Sequence, residues 1–388
     1  MTATRTAAAE IPAARTAPAS RRNRRLSAAV LGVAALAAAG VLATGGSPAG
    51  ATVLTNCAAN PVSCGYPGAT NTGVPAGTTL KSVPGQVSSG PGWSYNATDN
   101  NVTVTGNGTV LSGLSIPCAL VIDASNVTVN DVQVTTSGAF GITLTHTKGV
   151  TIENSVISGT NATTGRVDSA IDDVYGDSTG MVIKDNNISL FRTAMQISTG
   201  LVEGNYIHSP GYVAGDHTNG IVTAGGTESM TIEDNTIFNS LGQTDAISLD
   251  AASAGATVSN KTIENNFLAG GGYSIYGGDG QSNPTTGIVI TGNRFAQNYY
   301  AKGGQFGPVA YFNPAGTGST WTGNIWDTTA QTIAAPTSAY PPAPTPAIAG
   351  PHPAGRRSRM TSTTYRDGPS APSGRPDRDC SAGSRRAS

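Results

Sequence analysis

The chain has 388 residues, of which 50 are glycine and 12% are charged, and its formal net charge is −1. Residues 51–335 hold eight Lys and Arg against nineteen Asp and Glu, a net charge of −11, whereas residues 1–50 and 336–388 each carry +5. An acidic body lacks the clustered cations that phosphate contacts need, so nucleic acid is excluded as an expected partner. An anionic substrate would also be repelled unless a cation or a basic patch intervened.

The first 51 residues have the pattern of a secretory signal peptide. A basic region, an alanine-rich apolar run and an Ala-x-Ala motif follow one another as Arg21, Arg22, Arg24 and Arg25, then Ala28–Ala43, then Ala49–Ala51. A membrane anchor is the alternative, because the run approaches the minimum spanning length of ~17 residues. The small residues and the cleavage motif favour export. We therefore expect a secreted, extracellular monomer without membrane contact once residues 1–51 are removed.

Residues 52–100 lack a repeat and are expected to cap the repetitive region that follows, because an open end would expose core and strand edges. Cys57 and Cys64 are close in sequence, and an exported chain permits a disulfide between them. Cys118 lies in the apolar stretch IPCALVI and is expected to be a buried thiol. The spacing of Cys and His does not indicate a metal site.

Residues 101–333 carry an internal repeat. An apolar residue, two polar or small residues and a second apolar residue recur, as in TIEDNTIF and TIENNFLA. The marker asparagines, at steps of 19, 30, 31, 27 and 31 residues, are Asn186, Asn205, Asn235, Asn266, Asn293 and Asn324. A second series of short alternating segments lies between the copies, with AISL (246–249) and SIYG (274–277) as examples. Both series are typical of short, half-buried strands.

This spacing predicts an all-β fold, a right-handed parallel β-helix in which each coil pairs with the next. Asparagines in register would form a ladder of side-chain amides along one turn. A β-propeller is the alternative, but its blades need about 40 residues each, which exceeds the observed steps. The solenoid is therefore the predicted architecture.

The composition changes twice after the repeat. Residues 334–355 are rich in Pro and Ala and predict an extended linker. Residues 356–388 are rich in Arg, Ser, Pro and Gly with almost no apolar residues, which is typical of a disordered basic tail. Two interpretations of this tail stand side by side: a shifted-frame remnant of a lost domain, and a basic adhesive extension.

The repeat resembles those of the pectin-lyase-like superfamily of parallel β-helix proteins. Motifs over residues 57–330 more closely resemble secreted β-helix proteins of actinobacteria: CGYPGATNTGVPAGTTL (64–80), YGDSTG (175–180), GDHTNG (215–220), GQTDAISL (242–249), AGGGYSIYGG (269–278) and GPVAYFNPAG (307–316). The resemblance implies the fold and export. It implies no particular activity, because the arginine pattern of pectate lyases is absent and the motif set of polygalacturonases is not reproduced.

Strand register predicts two outward columns of side chains on the second series of strands. The first column consists of Thr143, Asp172, Gln196, Val222, Ser248 and Tyr276, and the second of Phe140, Ser169, Thr193, Asn219, Asp245 and Tyr273. Asp216 and His217 lie in the turn before Asn219, so these residues and Asp245 are expected within about 5–10 Å of one another. The flanking residues expected to bind substrate are Arg192, Gln196, Asn219, Tyr273 and Tyr276. Asp168 and Arg192 on neighbouring coils predict an ion pair.

Each of these residues also has a structural interpretation. An Asp in a solenoid turn commonly bonds its own backbone, which applies to Asp216. His217 alone would be an ordinary surface histidine. Tyr273 and Tyr276 would simply cover a glycine-rich coil.

Asp172 and Asp173 form a second catalytic candidate. Register places Asp172 outward and Asp173 inward, between Leu144 and Ile197 of the adjacent coils. An unpaired buried carboxylate costs at least a few kcal/mol. Because the turn-like VYGDSTG follows, we expect the strand to break at Asp173, so that both carboxylates reach solvent.

Three functions fit this surface. A glycoside hydrolase needs two carboxylates ~5 Å or ~6.5–9.5 Å apart, and Asp216 and Asp245 are expected to meet either spacing. A polysaccharide lyase needs a base, here His217 or Tyr273, with Arg192 or a bound calcium to neutralise a uronate. The third function is non-catalytic, as a glycan-binding or cell-surface β-helix. The acidic body favours hydrolysis of a polysaccharide without a cofactor, and calcium is expected only for the lyase.

Overall fold

The computed structural model describes residues 56–249, 257–280 and 284–337. The predicted signal peptide (1–51), the basic tail (356–388) and the linker beyond residue 337 lie outside the described residues. The described chain consists of short β-strands and one 3-10 helical turn, Pro61–Cys64. No helix in these ranges is long and apolar enough to cross a membrane.

The strands are numbered in chain order. They are β1 Lys81–Ser82, β2 Ser89–Gly90, β3 Trp93–Asn96, β4 Asn101–Val104, β5 Val110–Ile116, β6 Ala119–Ile122, β7 Thr128–Thr135, β8 Phe140–Leu144, β9 Thr151–Glu153, β10 Val156–Ser158, β11 Val167–Asp173, β12 Val182–Lys184, β13 Asn187–Ser189, β14 Phe191–Gln196, β15 Gly200–Glu203, β16 Tyr206–His208, β17 Asn219–Thr223, β18 Met230–Glu233, β19 Thr236–Asn239, β20 Asp245–Leu249, β21 Ser259–Glu264, β22 Phe267–Gly270, β23 Tyr273–Tyr276, β24 Thr286–Thr291, β25 Arg294–Phe295, β26 Gly307–Ala310, β27 Thr320–Thr322 and β28 Ile325–Trp326.

These strands form two sheets in which each strand pairs with the matching strand of the neighbouring coil. The first sheet has 17 strands and takes two consecutive strands from most coils, such as β18 and β19; the second has 11 and takes one, such as β20. The pairings between successive coils are parallel, as between β17 and β20, where Asn219 lies opposite Asp245. Each coil therefore advances by one strand spacing of about 4.8 Å. This confirms the predicted parallel β-helix.

A ladder of buried asparagine side chains runs along the solenoid, at the turn between the two strands that most coils contribute to the first sheet. Oδ1 of Asn235 accepts hydrogen bonds from the backbone N–H and Nδ2 of Asn205, both at 2.9 Å. Its own Nδ2 donates to Oδ1 of Asn266 and to the carbonyl of Val202, also at 2.9 Å. The same bonding links Asn186, Asn205, Asn235, Asn266, Asn293 and Asn324, all fully buried. The predicted ladder is confirmed, and it satisfies backbone groups that the turn leaves outside the sheets.

Apolar side chains stack in columns inside the coils. One fully buried column consists of Ile142, Ile171, Met195, Ile221, Ile247 and Ile275, as register predicted. Lys261 occupies an inward position beside Met230 of the preceding coil and is 1% exposed. Its Nζ donates to the carbonyls of Ser198 and Glu228 at 2.8 and 2.5 Å, which compensates in part for lost hydration. Burial lowers the pKa of Lys261.

Residues 81–100 close the amino-terminal end of the solenoid. β2 and β3 form an antiparallel hairpin, and β3 continues the second sheet by pairing antiparallel with β4. The side chains of Val83 and Trp93 are buried against the end of the core. An antiparallel hairpin in this place covers a strand edge that would otherwise be open to another chain.

Residues 56–80, here called the strap, lie along the side of the solenoid. The ring of Tyr66 lies 4.9 Å from that of Phe267, on one of the last coils. Further along the strap, the Gly73 N–H donates to the Asp185 carbonyl at 2.8 Å. The strap then leads into β1, which pairs with β5 on one of the first coils. The expected cap of residues 52–100 therefore has two parts, and only the second lies at the end.

The disulfide between Cys57 and Cys64 is present, as the sequence predicted. Its place differs from the expectation, because Cys57 packs against Phe238, Phe267 and Ala296 rather than against the end of the solenoid. The physical reason is an apolar outer surface on the last coils, which this part of the strap covers. Cys118 takes no part in the disulfide and is buried, 3% exposed, as expected.

We predict that Asn235→Ala destabilises the protein by at least about 3 kcal/mol. The substitution removes the acceptor of the buried Asn205 N–H, the side-chain bonds to Asn205 and Asn266 and the bond to the Val202 carbonyl, and a buried group left unpaired costs about 1–3 kcal/mol. Urea unfolding followed by circular dichroism measures the loss, with the exposed Asn298→Ala as the control. Equal stability of the two variants would contradict a structural role for the ladder.

Candidate functional site

The outward side of the second sheet, here called the outer face, carries both columns that register predicted. Neighbouring strands bring Thr143, Asp172, Gln196, Val222, Ser248 and Tyr276 into one line, and Phe140, Ser169, Thr193, Asn219 and Asp245 into another. The two lines are in contact, because the Ser169 hydroxyl hydrogen-bonds the Asp172 carboxylate and the charge of Asp245 acts on Tyr276. The columns therefore form one continuous surface.

Asp216 is a tether rather than an exposed acid. Its Oδ2 and Oδ1 accept hydrogen bonds from Nε and Nη2 of Arg166 at 2.5 and 2.6 Å, and Oδ2 also accepts from the Val213 N–H at 2.8 Å. Its side chain is only 9% exposed. Desolvation would raise the pKa of Asp216, but the hydrogen bonds from Arg166 and Val213 outweigh it, so the pKa lies below the ordinary value. The expectation of a solvent-facing Asp216 is wrong because Arg166 covers it.

A chain of alternating charges extends from this tether across the outer face. Arg166 also pairs with Asp168 through Nη1. Asp168 lies 3.8 Å from Nε of Arg192, which confirms the predicted ion pair. Arg192 in turn lowers the pKa of Asp172 through its charge, against the larger effect of desolvation. The order along the surface is therefore Asp216, Arg166, Asp168, Arg192 and Asp172.

The other members of the predicted cluster are only partly brought together. Asn219 lies opposite Asp245 in the sheet, and its Nδ2 donates to the carbonyl of His217 at 3.2 Å. His217 is exposed. Asp245 is 2% exposed, so the expectation that it faces solvent is wrong: its backbone lies against Gly271 of the neighbouring coil. Asp216 points instead towards Arg166, and the predicted pair of exposed carboxylates does not form.

Asp172 and Asp173 both lie within β11, so the expected strand break is wrong. Asp173 pairs with Leu144 in the sheet, is 5% exposed, and accepts a hydrogen bond on Oδ2 from the Ser178 N–H at 3.1 Å. The bond from Ser178, in the turn that follows, stabilises the inward carboxylate of Asp173 while this residue stays paired in the strand. Asp172 belongs to the outer face but is also only 5% exposed. Desolvation raises its pKa, and the charge of Asp173 adds to this.

Four aromatic rings lie together at the carboxyl-terminal end of the outer face, and we call them the tyrosine cluster. The ring of Tyr276 stacks on that of Tyr311 at 5.7 Å and 18°, and Tyr273 meets Tyr276 edge-on at 5.5 Å. Phe306, 57% exposed, lies 5.8 Å from Tyr273. Burial raises the pKa of Tyr276 to about 12, with a further contribution from the charge of Asp245. The phenol groups of Tyr273 and Tyr276 are therefore uncharged, and with Tyr311 and Phe306 these rings form one partly exposed aromatic surface.

Sequence reasoning missed Arg166, Phe306 and Tyr311. Arg166 immediately precedes β11 and lies two residues before Asp168, so the search for partners of Asp168 that found Arg192 on the neighbouring coil could also have included it. Its bond to Asp216 joins residues 50 positions apart through a loop, and strand register does not predict loops. Tyr311 immediately follows β26, and register places Ala310, not Tyr311, opposite Tyr276, so extending the column by one coil stops one residue short of it.

Within residues 56–249, 257–280 and 284–337, no group of three or more His, Cys, Asp or Glu side chains is arranged to hold a metal ion.

The model of the right-handed β-helix region family matches residues 117–312, which is half of the chain. The chain belongs to this family. The match spans both predicted columns and the asparagine ladder from Asn186 to Asn293, and it agrees with the right-handed coil predicted from the sequence. Comparison with curated proteins gives no match.

One similar solved structure is the A-module of the Azotobacter vinelandii mannuronan C-5 epimerase AlgE4. The two chains are 18% identical with a TM-score of 0.32, and the match covers 57% of this chain. This chain spans 64% of the length of that module, which is less than two thirds.

We predict that Asp216→Asn lowers the free energy of unfolding by about 2 kcal/mol at pH 7, because a charged acceptor of three hydrogen bonds is lost. The folded-state pKa of Asp216 is lowered, so its stabilisation is present above the unfolded pKa of ~3.9 and disappears as the pH falls through the folded value. Urea unfolding at several pH values measures the difference. The exposed Asp123→Asn is the control. A difference that persisted at the lowest pH would contradict the charged tether.

Proposed function

We propose that the outer face binds an extended, uncharged polysaccharide that lies across the coils. The observation that carries the proposal is the tyrosine cluster, whose Tyr273 and Tyr276 continue the columns that hold Asp172, Gln196 and Asn219. Aromatic rings offer flat apolar surfaces to the C–H faces of sugars, and the neighbouring amides and carboxylates offer hydrogen bonds to hydroxyl groups. Aromatic surface with a few placed polar groups is the usual character of a binding site for small polar molecules.

The geometry supports a linear polymer in particular. Columns of side chains at a spacing of about 4.8 Å repeat in one direction, along the solenoid axis. From Asp172 to Tyr276 the first column crosses four strand spacings, or about 19 Å. A surface of this length contacts several units of a chain and would be only partly used by a single sugar.

The charge supports an uncharged chain. Residues 51–335 carry a net charge of −11, and on the outer face Arg192 and Arg166 are already engaged by Asp168 and Asp216. A polyuronate would bring further negative charge to this surface without a free cation among these groups to receive it. Sugars without carboxylates avoid that repulsion.

Export remains part of the proposal. The disulfide between Cys57 and Cys64 is typical of oxidising compartments, which agrees with a protein that meets its polysaccharide outside the cell. We propose that the protein acts as an extracellular monomer.

Glycoside hydrolysis is the second candidate function, and Asp172 carries it. Its pKa is raised by desolvation, and a general acid needs a carboxyl group that stays protonated near the working pH. Asp245 lies three strand spacings along the face, about 14 Å away, which exceeds the ~6.5–9.5 Å between carboxylates in inverting enzymes. The second carboxylate in this proposal is Asp168, which shares Arg192 with Asp172 and has a 43% exposed side chain.

A lyase has less support from the outer face. Burial raises the pKa of Tyr273, which disfavours the phenolate that a tyrosine base would need. Arg192, the proposed neutraliser of a uronate, is bound by Asp168. His217 is exposed and stays a candidate base only if a substrate reaches the turn before β17.

The binding proposal predicts retention on neutral polysaccharides and little on polyuronates. Affinity electrophoresis of residues 52–337 in gels with laminarin, xylan, soluble cellulose, polygalacturonate or alginate measures it. Tyr276→Ala is expected to weaken the best binding at least tenfold, whereas the exposed Tyr212→Ala leaves it unchanged. Preference for the polyuronates, or equal binding by Tyr276→Ala and the parent, would contradict the proposal.

The hydrolysis candidate predicts new reducing ends, without the absorbance of an unsaturated uronate, on the polysaccharide that binds. Asp172→Asn should abolish the reaction and keep the affinity, because the amide has nearly the shape of the acid but supplies no proton. Because the acid must be protonated, the parent rate should fall as the pH rises through the raised pKa of Asp172. The exposed Asp99→Asn is the control. If the parent protein binds the polysaccharide and releases no product, hydrolysis is contradicted and binding alone is the function. An unsaturated product would indicate a lyase.

A further inference from the structure

A second aromatic group lies outside the tyrosine cluster and outside the charge chain. The ring of Tyr175 is stacked on that of His146, with centroids 4.3 Å apart and planes 14° from parallel. Nδ1 of His146 is 2.6 Å from Oδ2 of Asp177. Tyr175 is nevertheless 62% exposed, and its neighbour Val174 is 42% exposed. A large ring is thus stacked on His146, which is itself bonded to Asp177, and still faces solvent.

Strand pairing fixes where this group lies. Thr143 and Leu144 at the end of β8 pair with Asp172 and Asp173 at the end of β11, and the group sits in the turns that directly follow these two strands. It therefore occupies the carboxyl-terminal margin of the second sheet, next to the coil that holds Asp172.

The tyrosine cluster lies at the same margin of the sheet. Tyr276 is the last residue of β23, and Tyr311 directly follows β26. Four strand spacings separate the coils of β11 and β23, and five separate those of β11 and β26, which gives about 19–24 Å along the axis. The two aromatic groups therefore lie about 19–24 Å apart along one margin of the sheet, with the coils of Gln196, Val222 and Ser248 between them.

We propose that His146, Tyr175 and Asp177 form a second sugar-stacking platform, so that one polysaccharide chain is held at two separate points along the outer face. This inference rests on the proposed function of that face. Tyr175 supplies the exposed ring surface, and His146 and Asp177 are positioning residues that fix the ring before a sugar arrives. A ring fixed in advance loses less conformational freedom on binding than a mobile one.

Two platforms on one protein make the binding affinity depend on the length of the polysaccharide. A disaccharide occupies one platform at a time, whereas a polymer occupies both, and its second contact is intramolecular. Linked contacts of this kind raise affinity by about 10²–10⁴-fold over one contact alone. The platform at Tyr175 should therefore contribute strongly to polymer binding and weakly to binding of short fragments.

The test compares Tyr175→Ala, Tyr276→Ala and the control Tyr212→Ala with the parent protein. Isothermal titration uses xylan, laminarin and soluble cellulose, and the disaccharide of each. We expect Tyr175→Ala and Tyr276→Ala each to weaken polymer binding by about 100-fold, with at most a twofold change for the disaccharide. Tyr212, exposed on the loop before β17, should have no effect on either.

The outcomes separate the two proposals. Polymer binding that Tyr276→Ala weakens and Tyr175→Ala leaves intact overturns the second platform and retains the proposed function. Equal losses for disaccharide and polymer in Tyr175→Ala also overturn it, because the two-point contact is then absent. A parent protein that binds none of the three polymers overturns both. Because Tyr175 is exposed, its substitution should leave the thermal unfolding transition within about one degree of the parent's, since surface changes cost little.

Discussion

The structure depends on the requirement that every buried backbone group of one coil finds its partner in the next coil. In the sheets, parallel strands meet this requirement. In most coils, however, the turn between the two strands that belong to the first sheet leaves amides unpaired. The side chains of Asn205, Asn235 and Asn266 replace the missing strand partner, and each bonds the backbone of one neighbour and the side chain of another. Because one residue type in one position satisfies all of these groups, the register of successive coils is fixed. That register also determines which side chains of neighbouring coils lie in line on the outer face.

This explains which parts of the molecule the sequence predicted. The asparagine steps place the coils, and period-two alternation then predicts the outward column directly after the buried residues Ile171, Ile221 and Ile247; the second column, two residues before them, lies in line through the strand register. The Asp168–Arg192 pair follows from the same register. These predictions rest on short-range repetition, which a single sequence displays directly.

The errors arise where a side chain leaves the register. Asp216 was expected in solvent, but its loop folds over Arg166, which is 50 residues earlier in the chain. Asp173 was expected to break its strand, and instead it pairs with Leu144 in the sheet, while the N–H of Ser178 in the following turn bonds one oxygen of its carboxylate. Asp245 is in its predicted column but is buried, with its backbone against Gly271 of a neighbouring coil. Alternation predicts the direction of a side chain, whereas its exposure depends on loops and on the size of neighbouring residues.

The strap has a consequence for the order in which this protein reaches its final form. Solenoids are held mainly by contacts between adjacent repeats, so their coils can assemble one after another from either end. Here Tyr66, early in the described chain, docks on Phe267, about two hundred residues later, while Gly73 bonds Asp185 between them. A nascent chain therefore exposes the strap before its docking surface has been synthesised. The last coils, once formed, bind the first segment of the described chain. The stability of each of these two parts then depends on the folding of the other.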